Sequence, residues 1–300
     1  MNRAALRRRA VRVALGLLAD RLFGEPPARV HPVVGFGALM HGAEEHLYRD
    51  AKLAGVAYGT LGVAVAAALG VAVPDVTTAV ALTSAGRELR RTAAGVRDEL
   101  TAGRLDASRA RVRGLVGRDT AALDASGVAA AVIESVAENT VDAIVGPVLW
   151  AIVAGAPGAA TYRAVNTMDA LVGHRSARYA HFGWAGARAD DVMNLVPARL
   201  TLALVLACRP RRAPTIVRTV ARDAAAHPSP NAGVAEAAFA GALGLELGGP
   251  VCYGDRRELR PTLGRGPRPC VADIDRAIAL CAHVELALLV TLLAVAGVAR

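Results

Sequence analysis

A chain of 300 residues can hold one large domain or two smaller ones; 54% of this one is hydrophobic and only 4% aromatic, so any core is built from small aliphatic side chains. A mean hydropathy of +0.36 is unusual for a soluble protein and points to a membrane. The formal charge of +9 is nearly all arginine, Lys52 being the only lysine, and no basic run is interleaved with aromatics; this argues against nucleic acid and leaves anionic lipid or anionic substrates.

In chain order, the N-terminus has a basic start and a short apolar run, Ala10 to Ala19, that Arg12 interrupts. No small-residue cleavage site follows, so a cleaved signal peptide is not expected. Asp20, Gly24-Glu25-Pro26-Pro27 and His31-Pro32 then make a proline-stiffened loop that could hold Asp20 and His31 in place. Leu53 to Val73 is uncharged, closed by Pro74, and meets the ~20 residues a bilayer crossing needs. Its glycines and alanines would let neighbouring helices approach closely. Arg87 to Asp124 alternates charged with apolar positions and reads as surface helices. Val141 to Ala160 and Leu195 to Cys208 are weaker apolar runs, broken by proline, glycine or arginine. Ile278 to Ala299 is a second long run, but His283 and Glu285 inside it imply a face turned toward protein or a less ideal span.

Three basic segments, Arg87 to Asp124, Arg209 to Arg222 and Arg256 to Arg276, together with the N-terminal arginines, favour the cytoplasm. A single span before Arg87 would reverse the sides, so either Ala10 to Ala19 also crosses or one run is re-entrant. Strand signal is poor and no internal repeat is visible. The expected class is all-α: a polytopic integral membrane helical protein with polar loops and helices facing the cytoplasm. Cys208, Cys252, Cys270 and Cys281 show neither C-x-x-C spacing nor a histidine at zinc spacing, and read as unpaired structural thiols.

Against this apolar background three clusters pair acids with asparagine: Glu134-Glu138-Asn139-Asp142, Asn166-Asp169 and Asp190-Asp191-Asn194. Carboxylates in apolar surroundings are costly unless neutralised or hydrogen-bonded. Glu134, Glu138 and Asp142, at i, i+4 and i+8, would share one helix face and repel unless a cation sits between them. Magnesium takes one or two carboxylates plus phosphate oxygens, so Glu138, Asp142, Asp190 and Asp191 are the expected metal ligands. The bland alternatives are a solvated helix face for the first cluster and an N-terminal cap with local salt bridges for the last. Arg188 and Arg199 bracket the last cluster and could grip phosphate oxygens. Gly117-Arg118-Asp119-Thr120 is a short polar turn. His227-Pro228-Ser229-Pro230-Asn231 is a second stiff loop in which Asn231 is a plausible N-cap, and a helix N-terminus also binds phosphate. No Walker A loop, G-x-G-x-x-G loop or nucleophile elbow is present, so any nucleotide site is non-standard.

Taken in order, these motifs resemble the CobD/CbiB family, the adenosylcobinamide-phosphate synthases of cobalamin biosynthesis. The matching stretches are DRLFGEPP (20–27) with His31-Pro32-Val33, VGRDT (116–120), ESVAENTVDAIVGPVLW (134–150), the segment 162–201, HPSPNAGVAEAAFAGALG (227–244) and Tyr253-Gly254. Departures are Glu25 for the usual aspartate, Gly35, His174 and Leu195 for aromatics, Arg163 for lysine, and Val234-Ala235 for Trp-Pro. The lost aromatics bear on how a corrinoid ring is contacted, not on the reaction.

The resemblance implies one membrane domain over 1–300, with a polar helical insertion at about 85–130, in the cell (inner) membrane with a cytoplasmic active site. It implies ATP-dependent amide formation between adenosylcobyric acid and (R)-1-aminopropan-2-ol or its O-phosphate, with ATP and Mg2+ as cofactors, the lipid bilayer as surroundings and other cobalamin-pathway enzymes as possible partners. On that reading Glu134, Glu138, Asp142, Asp169, Asp190, Asp191 and His227 are the catalytic candidates. Asp20, His31, Arg118, Asp119, Asn139, Asn166, Arg178, Tyr179, Arg188, Asn194, Arg199, Ser229 and Asn231 are the substrate and nucleotide candidates. The competing readings are a magnesium-dependent membrane transferase acting on a prenyl diphosphate, and a non-enzymatic scaffold of corrinoid synthesis. The span at Leu53 to Val73 predicts that the chain stays in the pellet after carbonate extraction; recovery in the detergent-free soluble fraction would contradict a membrane location.

Overall fold

A computed structural model describes residues 2–117, 119–173, 176–253 and 256–298. Along the chain run α1 (Arg3–Phe23), α2 (Pro32–Leu47), α3 (Lys52–Ala72), α4 (Val76–Thr83), α5 (Gly86–Thr101), α6 (Leu105–Val112), α7 (Ala125–Thr140) and α8 (Gly146–Met168). They are followed by α9 (Trp184–Cys208), α10 (Ala213–Asp223), α11 (Ala232–Leu243), the strands β1 (Leu247–Tyr253) and β2 (Arg256–Leu263), and α12 (Val271–Val298). Local chemistry sets several ends. Asn2, Asp75 and Asp124 accept backbone N–H groups in the first turns of α1, α4 and α7. The left-handed Gly244 closes α11.

The chain divides into two compact units. The first comprises Met1–Arg87, Asp142–Pro197 and Leu289–Arg300. Its core gathers Phe36, Met40, Tyr58, Ala66, Val165, Met168 and Phe182. The face that α3 buries is Gly55, Tyr58, Gly62, Ala66 and Gly70, a stripe of mostly small residues at helical spacing. A Cβ at Gly62 would stand 2.3 Å from the Met168 sulfur, and one at Gly70 2.5 Å from the Pro157 Cα, so the α3 and α8 backbones are nearly in contact.

Within the first unit α8 is not a straight rod. Gly155 adopts φ 71°, ψ −152°, and the chain doubles back there. On a straight helix residues 146 and 162 would lie ~24 Å apart. Here a Cβ on Gly146 would fall 2.1 Å from the Tyr162 ring, and one on Gly158 2.3 Å from the Trp150 carbonyl oxygen. Arg9 of α1 donates to the carbonyls of Ile152 (3.1 Å) and Val153 (3.2 Å), satisfying the end of the outgoing arm.

The second unit comprises Glu88–Val141 and Ala198–Leu288. Every residue of α11 is buried, between α7 and α10. Glu285 of α12 is fully buried and accepts from Arg90 of α5 at 2.6 Å, so the acid within this apolar run faces protein. The antiparallel β1–β2 pair, with a bulge between Gly248 and Pro250, is a correction to the reading of poor strand signal throughout. Its Gly-Gly-Pro start breaks the alternation by which strands are recognised.

Among the described residues, four helical segments are long and apolar enough to cross a membrane: Lys52–Ala72, Ala125–Gly173, Trp184–Cys208 and Val271–Gly297. This agrees with an all-α polytopic membrane protein. The 49-residue second segment contains the turn at Gly155, so the run read as Val141 to Ala160 holds a fold-back. Cys208, Cys270 and Cys281 are free thiols, as expected. Because Pro157 backbone atoms cannot move aside, Gly70→Val should lower the detergent melting temperature, an overpacking cost on the order of 1–3 kcal/mol. An unchanged melting curve would show that α3 and α8 are not held this closely.

Candidate functional site

In the first unit the acids and asparagines converge on one buried side chain, Asn194 of α9. Its Oδ1 accepts from the Tyr162 hydroxyl at 2.6 Å. Its Nδ2 donates to Asp142 Oδ1 at 3.0 Å and to Asp190 Oδ2 at 3.1 Å. Asn166 Nδ2 lies 3.4 Å from the other oxygen of Asp190. Tyr162 reaches Asn194 because Gly146, having no Cβ, leaves room for its ring. Asp142 and Asp169 both sit in π-helical turns, Val141–Val145 and Asp169–Gly173, the kind of irregularity often found at functional sites. Asp169 packs so tightly on Gly173 that a Cβ there would fall 1.8 Å from its Oδ1.

Two carboxylates sharing one amide donor repel each other unless a cation or a proton is held between them. Both offer hard oxygen donors of the kind magnesium takes. Among the described residues no group of three or more His, Cys, Asp or Glu side chains is placed to hold a metal. A magnesium ion at Asp142 and Asp190 would therefore complete its shell from ligand or water oxygens.

The other expected residues are distributed as follows. Asp190 lies well inside α9, so the capping alternative does not apply to it. Asp191 pairs with Arg188 at 3.2 Å, the local salt bridge of the bland reading. The i, i+4, i+8 alignment is interrupted, since the helix becomes π-helical at Val141. In the second unit Glu134 is buried and accepts from the bulge N–H of Gly248 at 2.7 Å, Glu138 is exposed, and Asn139 donates to the Ser135 carbonyl one turn back at 3.0 Å. Asp20 is fully buried and accepts from Gly86 N at 2.9 Å, serving the start of α5. Asp119 closes its own turn on Ala121 N, and Arg118 lies outside the described residues.

Arg178 and Tyr179 of the first unit meet on a residue that sequence reasoning missed, the buried Glu44. Its Oε1 accepts from Arg178 Nη2 at 3.0 Å and from the Tyr179 hydroxyl at 2.8 Å. Burial, then the hydrogen bond to Glu44, pushes the Tyr179 phenol up; the Glu44 hydrogen bond likewise raises Arg178. Arg178 also lies over the Tyr48 ring, 4.1 Å from its centroid.

The second unit corrects the capping expectation for Asn231. The Asn231 side chain makes no cap; its Oδ1 accepts from Arg199 at 2.6 Å. Ser229 Oγ instead lies 3.3 Å from Asn231 N and 3.2 Å from Ala232 N, so amides expected to receive phosphate are already bonded. His227 is buried, its Nδ1 accepting from Ser229 N at 3.1 Å and its Nε2 3.7 Å from the buried Glu236. His31 likewise caps α2 through Val33 N at 3.1 Å and faces Glu25 at 3.3 Å. Tyr162 and Glu236 were missed too. Each had one signal: a lone phenol in an apolar run, and a lone acid in an alanine-rich one.

A family profile described as CobD/Cbib protein matches residues 13–281. The chain belongs to the CobD/CbiB family. It is 46% identical over 290 residues to "Cobalamin biosynthesis protein CobD" of Mycobacterium tuberculosis (strain ATCC 25618 / H37Rv), covering 92% of each chain. Proteins of the same name in Chromobacterium violaceum and Rhodobacter capsulatus are 42% and 50% identical, over 90% and 65% of this chain and 91% and 62% of theirs. No solved structure matches. The family match takes in the whole Asn194 cluster of this CobD/CbiB chain, whose connectivity gives a paired test. Tyr162→Phe strands the buried Asn194 acceptor and should cost about 1–3 kcal/mol. The Tyr58 hydroxyl is buried with no hydrogen-bond partner among the described residues, so Tyr58→Phe should be neutral or stabilising. Melting curves in detergent check both; equal losses would refute the assigned bonding.

Proposed function

We propose that this protein acts in cobalamin biosynthesis as an ATP-dependent amide-forming ligase, joining adenosylcobyric acid to (R)-1-aminopropan-2-ol or its O-phosphate. The observation that carries the reading is the pair Asp142 and Asp190 on the shared Asn194 amide, in a chain 46% identical along nearly its whole length to a relative named for cobalamin biosynthesis. A carboxylate has no good leaving group. Transfer of the ATP γ-phosphoryl to a corrinoid carboxylate gives an acyl phosphate and ADP; attack by the amine then releases phosphate and forms the amide.

Phosphoryl transfer is catalysed chiefly by positioning and by cations on developing negative charge. Asp142 and Asp190 are the residues that would hold magnesium, which when bound neutralises charge on the phosphate oxygens. Asn194 and Asn166 orient these carboxylates, and Tyr162 fixes Asn194. A carboxylate of the cluster or the His227 imidazole, whose Nδ1 contacts Ser229 N, takes the proton from the attacking ammonium. The protein is placed by this reading in the cell membrane with its chemistry on the cytoplasmic side, where ATP is present.

The purified protein in detergent, given adenosylcobyric acid, aminopropanol phosphate, ATP and magnesium, should yield the amide by mass spectrometry. Asp142→Asn and Asp190→Asn should each lower turnover by ~10²-fold or more with normal membrane insertion. Arg188→Gln, which breaks only the exposed pair with Asp191, should cost much less. Near-normal activity in both aspartate variants would make the cluster structural.

A further inference from the structure

The first unit contains an apolar cavity of about 90 Å³ outside the Asn194 cluster, walled by side chains including Phe36, Ala66, Leu69, Ala160 and Ala164. Its threonines are satisfied within their own helices: Thr83 donates to the Ala79 carbonyl and Thr167 to the Arg163 carbonyl. The exception is Arg163, which also lines the cavity. Its Nε is buried and has no hydrogen-bond partner among the described residues, and its Nη1 has only a 3.4 Å contact to Asn166 Oδ1. Arg163 lies in the apolar segment Ala125–Gly173, where a cation is expensive and marks a functional position by default. A buried guanidinium N–H without an acceptor adds to that cost.

We infer that this cavity binds a small organic anion, its phosphate or carboxylate head on Arg163 and its short aliphatic body among the alanines. Size limits the body. A cavity of ~150 Å³ takes benzene, so this one takes roughly three or four carbons. The cavity is open on one side, where Leu69 is exposed, so the octyl and phosphatidate arms of the test distinguish a free metabolite from a lipid whose tail leaves it. Asn166 touches both Arg163 and Asp190, so the head would lie one side chain away from the carboxylate cluster. Naming the occupant as the three-carbon aminoalkanol phosphate rests on the amide-forming reading; the cavity and its cation do not.

Calorimetric titration of the lipid-stripped protein in detergent, without ATP, tests the site with inorganic, propyl, butyl and octyl phosphate. Propyl and butyl phosphate should bind at least ~10-fold more tightly than inorganic or octyl phosphate, and Arg163→Gln should weaken them by a similar factor. Ala160→Leu, on a half-exposed position of the wall, should remove the preference for propyl over inorganic phosphate. The length series on the unaltered protein stands even if a variant fails to fold. Equal binding of inorganic and propyl phosphate, or competition by phosphatidate in nanodiscs, would overturn the proposal, the latter by making the occupant a lipid. Binding as expected without amide product would leave the cavity and sink the ligase reading; amide product without propyl phosphate binding would do the reverse.

Discussion

A half-buried carboxylate in an apolar helix must find a donor, and the arrangement of the first unit follows from how Asp142 and Asp190 find theirs. One carboxamide, Asn194, donates to both. An amide has two N–H groups and one carbonyl, so using both donors on acids leaves the carbonyl to be satisfied by a third residue. Tyr162 does this, and it can do so only because the chain reverses at Gly155 and Gly146 has no side chain in the way. Two glycines, neither carrying a side chain, thus determine how two acids are held in an apolar setting. The connection runs from backbone freedom, through packing, to electrostatics.

The same economy of small residues governs the helix contacts. Aromatic side chains are scarce, so interior volume cannot be filled by bulk and has to be removed by bringing backbones together. Gly55, Gly62 and Gly70 on α3 do that against the Phe182 carbonyl, the Met168 sulfur and Pro157. Lipid offers little hydrophobic drive for helix association, so close van der Waals packing carries it. The few aromatics of the first unit concentrate where α2, α3 and the 176–183 loop meet: Tyr48 and Tyr58 both pack on Phe182 at about 5 Å between ring centroids.

What was legible in the sequence was what one helical period can carry. The uncharged run after Leu53 reads as a span, and the acid–asparagine pairs inside apolar text read as a site, because cost and composition are local properties. The convergence of Asp142 with Asp190 was not legible, since it depends on a reversal at one glycine among the chain's 30. Spacing even misled for Glu134, Glu138 and Asp142, because a π turn changes the helical phase and leaves no mark in residue type. Glu44 was invisible for another reason. Next to Glu45 and His46 it looks like surface charge, yet it is the buried acceptor for Arg178 and Tyr179.

The two His-Pro steps show how a residue pair can look catalytic and be explained by backbone chemistry. Proline has no N–H, so the first donor after each histidine belongs to the residue two positions on. His31 Nδ1 accepts from Val33 N, and His227 Nδ1 accepts from Ser229 N, at 3.1 Å in both cases. In both loops the other ring nitrogen, Nε2, faces a glutamate, Glu25 at 3.3 Å and Glu236 at 3.7 Å. The pattern ties each ring to the backbone of its own loop. Each imidazole thus satisfies the first backbone donor that its proline leaves open, and that role accounts for a histidine standing before proline.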